Sequence, residues 1–369
     1  MTATQLAPIA NAIELELQDL RENQSEELID VAKLPKGDCY KVVALFSGCG
    51  GFSLGFKGGF ELFPNTHRIK YKKNPFEIIW SNDISPYAVD SYLKNFKSEV
   101  VCDDIRNINS SDIPDCDILI GGFPCQDFSI SGKMKGFDSL RGKLYQELVR
   151  LIKDKKPIAF VAENVRNIQN PSLWDAERNQ TVFQSILGDF KGCGYNVSTK
   201  LIYAPDYGLP QKRERVFFVG IREDINKKFY FPSSHHKILT VKDAIDDLWG
   251  IETKGLVANH DQRSLAKFKP PSKNGNQGNY KLKPDQPSYV MRAEHHMNIQ
   301  AHYRTYNELE PENRDYWRRL TVREAARIQG FPDDFVFSGS KVHTYSQVGN
   351  AVPPVLSWYI ARALYKSLS

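Results

Sequence analysis

No stretch of this chain is apolar for long enough to cross a bilayer, which excludes a helical integral membrane protein. Met1–Ile13 lacks the basic start and apolar core of a secretory signal, so the expected compartment is a reducing cytoplasm. Cysteine is sparse, six in 369 residues, and in that compartment the six are expected as thiols. They include no C-x-x-C pair and no histidine–cysteine cluster with ligand spacing. The adjacent His295 and His296 have nothing near them in sequence to complete a site, so no metal is expected. Neither sign of charge dominates: a net charge of +5 biases only slightly toward an anionic partner. The strict G-x-G-x-x-G spacing of a dinucleotide turn is missing, and so is a phosphate-binding lysine in the glycine-rich turn Ser47–Gly51.

What is present is a chain large enough for one big domain and a smaller one, with a hydrophobic share of 41% to build a core. Residues 1–38 form an acidic leader, expected either as a helix packed on the body, an ordered partner segment or a solvated extension. From Tyr40 onward, short apolar or β-branched runs alternate with helix-like segments. The runs are Lys41–Phe46, Ile78–Ser81, Glu99–Cys102, Asp117–Ile120, Ile158–Ala162, Val197–Tyr203 and Arg215–Val219; the helical segments include Pro86–Asn95, Gly142–Asp154 and Thr181–Phe190. Such alternation predicts an α/β fold around a largely parallel sheet. Residues 221–317 change texture, with Pro270-Pro271, an Asn/Gly/Lys-rich loop and scattered Tyr and His, which marks a second domain. Pro353-Pro354 opens a final helix with Val355, Tyr359, Ala363 and Leu364 at helical spacing.

In parallel sheets, ligands bind beyond the carboxyl ends of the strands. Those ends carry the unusual residues: Phe46-Ser-Gly-Cys-Gly-Gly-Phe52, Asn82-Asp83, Asp103-Asp104-Ile105, Pro124-Cys125 and Glu163-Asn164-Val165. A core explanation covers any one of them and covers all five poorly. Glycines after a first strand, with Asp83 placed to hold ribose hydroxyls after the second, point to a nucleoside cofactor. Asp104 and Ile105 offer it a polar contact and an apolar wall, and Phe46 a stacking face. With no lysine for a pyrophosphate, S-adenosylmethionine fits.

Cys125 stands at the tip of a Gly-Gly-Phe-Pro turn. A free cysteine usually packs as a small hydrophobe, but the glycines that admit close backbone approach and the stiffening Pro124 shift the reading to a nucleophile. Behind it runs Asp127–Lys143, with Gly, Ser and Lys at intervals and no apolar period, which reads as a mobile cationic loop.

Taken in order, these strings resemble the motifs of the bacterial DNA (cytosine-5) methyltransferases of restriction-modification systems. Phe46–Phe52 is similar to the family's first motif, Gly122-Phe-Pro-Cys-Gln126 to its nucleophile motif, and Glu163-Asn-Val165 to its acid motif. Gln211-Lys-Arg-Glu-Arg215 matches its Gln-x-Arg-x-Arg motif, Arg319–Pro332 the motif framing target recognition, and Gln347-Val-Gly-Asn-Ala-Val352 the last cofactor-side motif. The likeness runs from about Lys41 to the C-terminus.

The resemblance implies a Rossmann-like, doubly wound S-adenosylmethionine-dependent methyltransferase domain over 39–220, a smaller mixed target-recognition domain over 221–317, and a frame and return segment over 318–369. It implies transfer of a methyl group to carbon 5 of a flipped-out cytosine in duplex DNA through a covalent adduct of Cys125. Glu163 would activate the ring at nitrogen 3, Arg215 would touch the cytosine carbonyl oxygen and Arg213 would brace the site. The period-two spacing of the two arginines directs them to one face of a strand, against the alternative of surface ion pairs with Glu214 or Asp206. No residue stands out as the base that removes the carbon-5 proton.

For the cofactor, the implied set is Phe46, Ser47, Gly48, Cys49, Gly51, Asp83, Ile84, Asp104, Ile105, Pro124, Leu144, Asn350 and Val352. For DNA it is Ser129, Ser131, Lys133 and Arg141 on the loop, hinged at Gly132, Gly136 and Gly142, with Arg292 and Arg304 in the recognition region. Lys135, His295, His296 and His302 are further candidates for phosphates or base edges. A monomer in the bacterial cytoplasm, bound to nucleoid DNA and functionally paired with a cognate restriction endonuclease, completes the expectation. Two alternatives stay open: an RNA (tRNA) cytosine-5 methyltransferase on the same scaffold, and a non-catalytic DNA-binding relative.

Overall fold

The computed structural model describes residues 28–35, 37–124, 144–234, 237–252, 254–261, 280–297 and 299–369. Seven strands form the main sheet: β1 Tyr40–Leu45, β2 Phe76–Asp83, β3 Glu99–Cys102, β4 Ile118–Gly122, β5 Ala159–Val165, β6 Tyr195–Tyr203 and β7 Glu214–Arg222. Their order is β6-β7-β5-β4-β1-β2-β3. The pairs among β1 to β5 are parallel, and β7 runs antiparallel to both β5 and β6. The helices are α1 Gly51–Lys57, α2 Pro86–Asn95, α3 Tyr145–Lys155, α4 Val182–Lys191, α5 Val241–Ile245, α6 Val322–Gln329, α7 Lys341–Asn350 and α8 Pro354–Leu368. The α/β fold with a largely parallel sheet is therefore observed, with an antiparallel hairpin at one edge.

Central strands buried on both faces read as unbroken apolar runs rather than alternating ones. Val42, Ala44, Ile120, Val161 and Phe217 face one cluster, shared with Phe52 and Phe56 of α1 and Leu356, Ile360 and Leu364 of α8. Val43, Leu45, Leu119, Phe160 and Phe218 face the other, with Leu148 and Ile152 of α3 and Ile186 and Phe190 of α4. The helices start where local chemistry dictates. Ser85 caps α2 ahead of Pro86, and Thr181 with Gln184 forms a capping box that opens α4. Strands β2 and β5 outlast their apolar stretches, because Asp83 still pairs with Cys102 and Glu163 with Gly122. The polar residues expected after those strands are thus their last rungs, fixed by ladder hydrogen bonds.

The described end of the leader is no solvated extension. The Ile29 amide donates to the Phe231 carbonyl at 2.9 Å, and Arg362 Nε of α8 donates to the Val31 carbonyl at 2.6 Å.

Helix α6 is buried throughout although it carries two arginines and a glutamate. Each charge has a partner, as burial requires. Arg327 pairs with Asp247 and Asp333, and Arg323 Nε donates to the Ala258 carbonyl at 2.8 Å. Just before the helix, Arg318 grips both oxygens of Glu324, at 2.6 and 2.7 Å, and reaches Glu252 at 2.8 Å. Burial pushes the Glu324 carboxyl up, but the Arg318 guanidinium outweighs it and holds the group at about 2. Removing one partner strands the other charge, so Glu324→Ala is expected to cost about 3–5 kcal/mol in urea unfolding. The sign of the pH effect follows from the lowered value. The carboxylate's contribution is complete above its unfolded value of 4.5 and is lost as pH falls toward about 2, so the variant's acid limb of stability should flatten in that window.

Candidate active site

Strand order reverses at β1, and in doubly wound sheets the ligand crevice lies at such a switch, outside the carboxyl ends. A cleft of about 330 Å³ opens there. It is lined by the ends of β1, β2, β4 and β5, by the turn after β3 and by the α7 segment.

The turn after β1 has an unusual backbone. Phe46 adopts a left-handed φ of 50°, Gly48 one of 55° and Gly50 one of 101°. At Gly50 an added Cβ would sit 2.3 Å from the Phe96 ring, so only glycine fits. The turn is pinned to β2: the Ser47 amide donates to the Asn82 carbonyl at 2.8 Å, and the Gly48 amide to Asp83 Oδ2 at 2.7 Å. Asp83 Oδ1 accepts from the Ser85 amide at 2.9 Å. Burial raises the Asp83 carboxyl and these two amides oppose the rise. Asn82 fastens the next turn, its Nδ2 donating to the carbonyls of Val101 and Asp103 at 3.2 and 2.8 Å. Asp104, held below the usual carboxylate range by its hydrogen bond from Arg106, faces the cleft with Ile105.

The β5–β7 register brings the acid and an arginine together. Glu163 lies opposite Phe217, and Arg215 is two residues from Phe217 on the same face of β7, so the two side chains meet on the diagonal. Arg215 Nε sits 2.8 Å from Glu163 Oε1. That oxygen is buried and has no well-aligned hydrogen bond. Burial raises the Glu163 carboxyl, against the lowering pull of Arg215 and Arg213. Asn164 ties β5 to the turn after β4, donating to the Phe123 carbonyl at 3.2 Å.

Arg213 precedes β7 rather than lying on it. Its guanidinium donates to the Gly349 and Ala351 carbonyls, both at 3.1 Å, and so clamps the α7 end onto the cleft. Arg215 Nη1 donates to the Glu214 backbone carbonyl at 2.7 Å, while the Glu214 carboxylate is engaged by Arg166 at 2.8 Å.

Of the residues expected around a cofactor, Phe46, Ser47, Gly48, Cys49, Asp83, Ile84, Asp104, Ile105, Pro124, Leu144, Asn350 and Val352 all line the cleft. Gly51 does not: it lets α1 approach the chain at Val352, where a Cβ would meet a carbonyl oxygen at 2.4 Å. Cys49 is buried and its thiol is pushed up to about 12, so it lines the cleft as an unreactive hydrophobe. Cys125, Ser129, Ser131, Lys133, Lys135 and Arg141, with the glycine hinges, lie outside the described residues.

Tyr87, His343 and Ser346 also line the cleft, without having been expected there. The Tyr87 and His343 rings stack with centroids 3.5 Å apart, and Gln347 Nε2 donates to the carbonyls of Tyr87 and Ser338. The spacing of His343, Ser346 and Asn350, three and seven residues on, places them on one helical face.

In the region after β7, two expected phosphate contacts are corrected. His295 and His302 are buried, and burial drives both rings to about 3, so they are neutral and inward-facing. Arg304 is paired with Asp246 at 2.6 Å, and Arg292 is half-buried. Among the described residues, one cluster has metal-ligand spacing, Glu252, His260 and Glu324. Arg318 already occupies its carboxylates, and both nitrogens of His260 are 2.8 Å from protein oxygens.

The family model for C-5 cytosine-specific DNA methylases matches residues 40–366. The chain belongs to that family. It is 36% identical over 342 residues to the Type II methyltransferase M.NgoFVII of Neisseria gonorrhoeae, covering 85% of this chain and 83% of that protein. Against the Type II methyltransferase M.FnuDI of Fusobacterium nucleatum the identity is 34% over 362 residues, covering 89% and 95%. Among solved structures, the S. pombe Dnmt2 methyltransferase superposes with a TM-score of 0.62 at 21% identity, over 88% of this chain and 98% of that one, which shows a shared fold. As a C-5 cytosine-specific DNA methylase the chain is a DNA methyltransferase, and membership of this family implies S-adenosylmethionine-dependent catalysis. Among the described residues, no helix is long and apolar enough to cross a membrane.

Proposed function

We propose that the chain methylates carbon 5 of one cytosine within a specific site of duplex DNA, as the modification partner of a cognate restriction endonuclease in a bacterial cytoplasm. The observation that carries this is a single cleft in which a glycine turn, a buried carboxyl and Pro124, the residue before Cys125, come together. Relatives named as Type II methyltransferases support the modification role. In this reading the enzyme acts as a monomer, residues 221–317 select the site, and 39–220 with 318–369 carry the chemistry.

The cleft suits S-adenosylmethionine. Nothing lies within 4 Å of a Cβ built on Gly48, so backbone there leaves room for a ligand. Asp83 retains acceptor capacity for ribose hydroxyls, Asp104 offers a carboxylate to the exocyclic amine of adenine, and Ile84, 66% exposed, with Phe46 supplies apolar faces for its ring. Bound there, the cofactor supplies an electrophilic methyl group.

The protein's part begins with extrusion of the target nucleotide, since a buried site cannot reach a stacked base. Cys125, as thiolate, forms a bond from sulfur to carbon 6. Glu163 gives its proton to nitrogen 3, and the ring's electrons become available at carbon 5. Arg215, beside Glu163, holds the carbonyl oxygen, and Arg213 keeps the α7 end in place. After methylation, carbon 5 loses its proton to water, the sulfur–carbon bond breaks, carbon 5 and carbon 6 regain their double bond, and nitrogen 3 returns its proton to Glu163.

Incubation with labelled S-adenosylmethionine and either duplex DNA or transfer RNA tests the substrate. Label is expected in DNA only, and bisulfite sequencing of that DNA should show one short sequence protected. Label in transfer RNA alone would make the enzyme an RNA methyltransferase, and label in neither would favour a non-catalytic relative.

A further inference from the structure

We propose that Lys212, Tyr289 and Tyr280 form a cation–aromatic platform that grips duplex DNA beside the extruded nucleotide, an inference that rests on the DNA-methylation reading above. Lys212 lies between two inward-pointing residues. Gln211 is buried, its Nε2 donating to Gln329 Oε1 at 2.6 Å and its Oε1 accepting from the Met291 amide at 3.0 Å. Arg213 points into the cleft region. The Arg213 amide folds back onto the Gln211 carbonyl at 2.8 Å, so Lys212 stands at the tip of a tight turn, half-buried between two buried neighbours.

Two backbone bonds fix what it meets there. The Lys212 amide donates to the Ser288 carbonyl at 2.7 Å, and the Ser288 amide donates to the Pro210 carbonyl at 2.9 Å. This clamp sets Tyr289 under the lysine, with Nζ 5.1 Å from the ring centroid and 3.1 Å from Gln286 Oε1. Both partners leave the ammonium charge uncancelled. Tyr289 is 54% exposed, and Tyr280 supports its ring edge-on at 5.0 Å.

An ammonium with no carboxylate partner among the described residues, set over an exposed aromatic face, suits a nucleic-acid backbone. The cation takes a phosphate, and the ring takes the apolar face of a sugar or an unstacked base. The chain position sets where: Lys212 is one residue from Arg213 and three from Arg215, both lining the cleft. The platform thus borders the strand from which the target cytosine is drawn, where stacking has been lost.

Affinity of the full-length protein for a duplex carrying its site, measured across a KCl series, tests this. Lys212→Ala should make the slope of log affinity against log salt shallower by about 1. Tyr289→Ala should weaken binding about tenfold, and Tyr289→Phe should restore it. Trp174→Ala, removing an aromatic that is 44% exposed on another hairpin, should leave affinity at the wild-type level. All variants should keep wild-type melting temperature and cofactor affinity. An unchanged salt slope in Lys212→Ala, or wild-type affinity in Tyr289→Ala, overturns the platform while the wild-type protein still methylates DNA. Should the wild-type protein neither bind nor methylate duplex DNA, the underlying reading falls and the platform with it.

Discussion

A Cys125→Ser enzyme is expected to transfer methyl groups to duplex DNA at least about 10⁴-fold more slowly than wild type, with cofactor affinity retained. Carbon 5 of cytosine is a weak nucleophile until something adds at carbon 6. A thiol supplies a few per cent of thiolate at neutral pH and is intrinsically a strong nucleophile, whereas a serine hydroxyl without an adjacent base supplies almost no alkoxide. The other cysteines offer no substitute within the cleft, since Cys49 is buried with its thiol pushed up to about 12. Single-turnover methylation of a duplex carrying the site reads the rate. A duplex with 5-fluorocytosine at the target reads the bond itself: fluorine cannot leave as a proton does, so the wild-type sulfur should stay attached through denaturation. Cys125→Ser should give no such adduct. A variant that methylates at wild-type speed would remove covalent addition from the mechanism.

Much of this site can be read from the chain because its chemistry sits at strand ends. A parallel strand announces itself as an apolar run, and the residue that breaks the run is where function begins. Ser47, Asn82, Asp103 and Glu163 each stand directly after such a run, and all four line one cleft. Local propensity also locates α2 and the start of α4, where Pro86 and Thr181 are strong terminal signals.

Other features depend on which residues meet across the fold. Charged residues in a helix suggest a solvated face, yet Arg323 and Arg327 are buried because carbonyls and carboxylates from residues 247–258 and 332–335 converge on α6, and Glu324 is buried against the Arg318 guanidinium. Likewise, no local pattern reveals that the Tyr87 ring stacks on His343, more than two hundred residues away in the chain, or that Gly51 serves packing rather than ligand contact. His295 and His302 resemble phosphate ligands when only their polarity is counted. Burial strips them of charge, a consequence of tertiary packing that composition cannot carry.

Glu163→Gln should lower the methylation rate constant by about 10²–10⁴-fold, the range over which a positioned general acid contributes. Glutamine keeps a donor that can hydrogen-bond nitrogen 3 but cannot hand over a proton, so Glu163→Ala should fall further. The pH profile carries the sharper distinction. Burial raises the wild-type carboxyl above the ordinary glutamate range, and its working form is the protonated one. Activity should therefore decline as pH rises through that raised value, even as the fraction of Cys125 thiolate grows. In Glu163→Gln this alkaline decline should vanish, leaving a residual rate that only increases with pH. Arg215 lowers the Glu163 carboxyl through its charge at 2.8 Å, so replacing it by methionine should move the decline to higher pH while weakening hold on the base. An alkaline limb that persists unchanged in Glu163→Gln would assign the proton to another group.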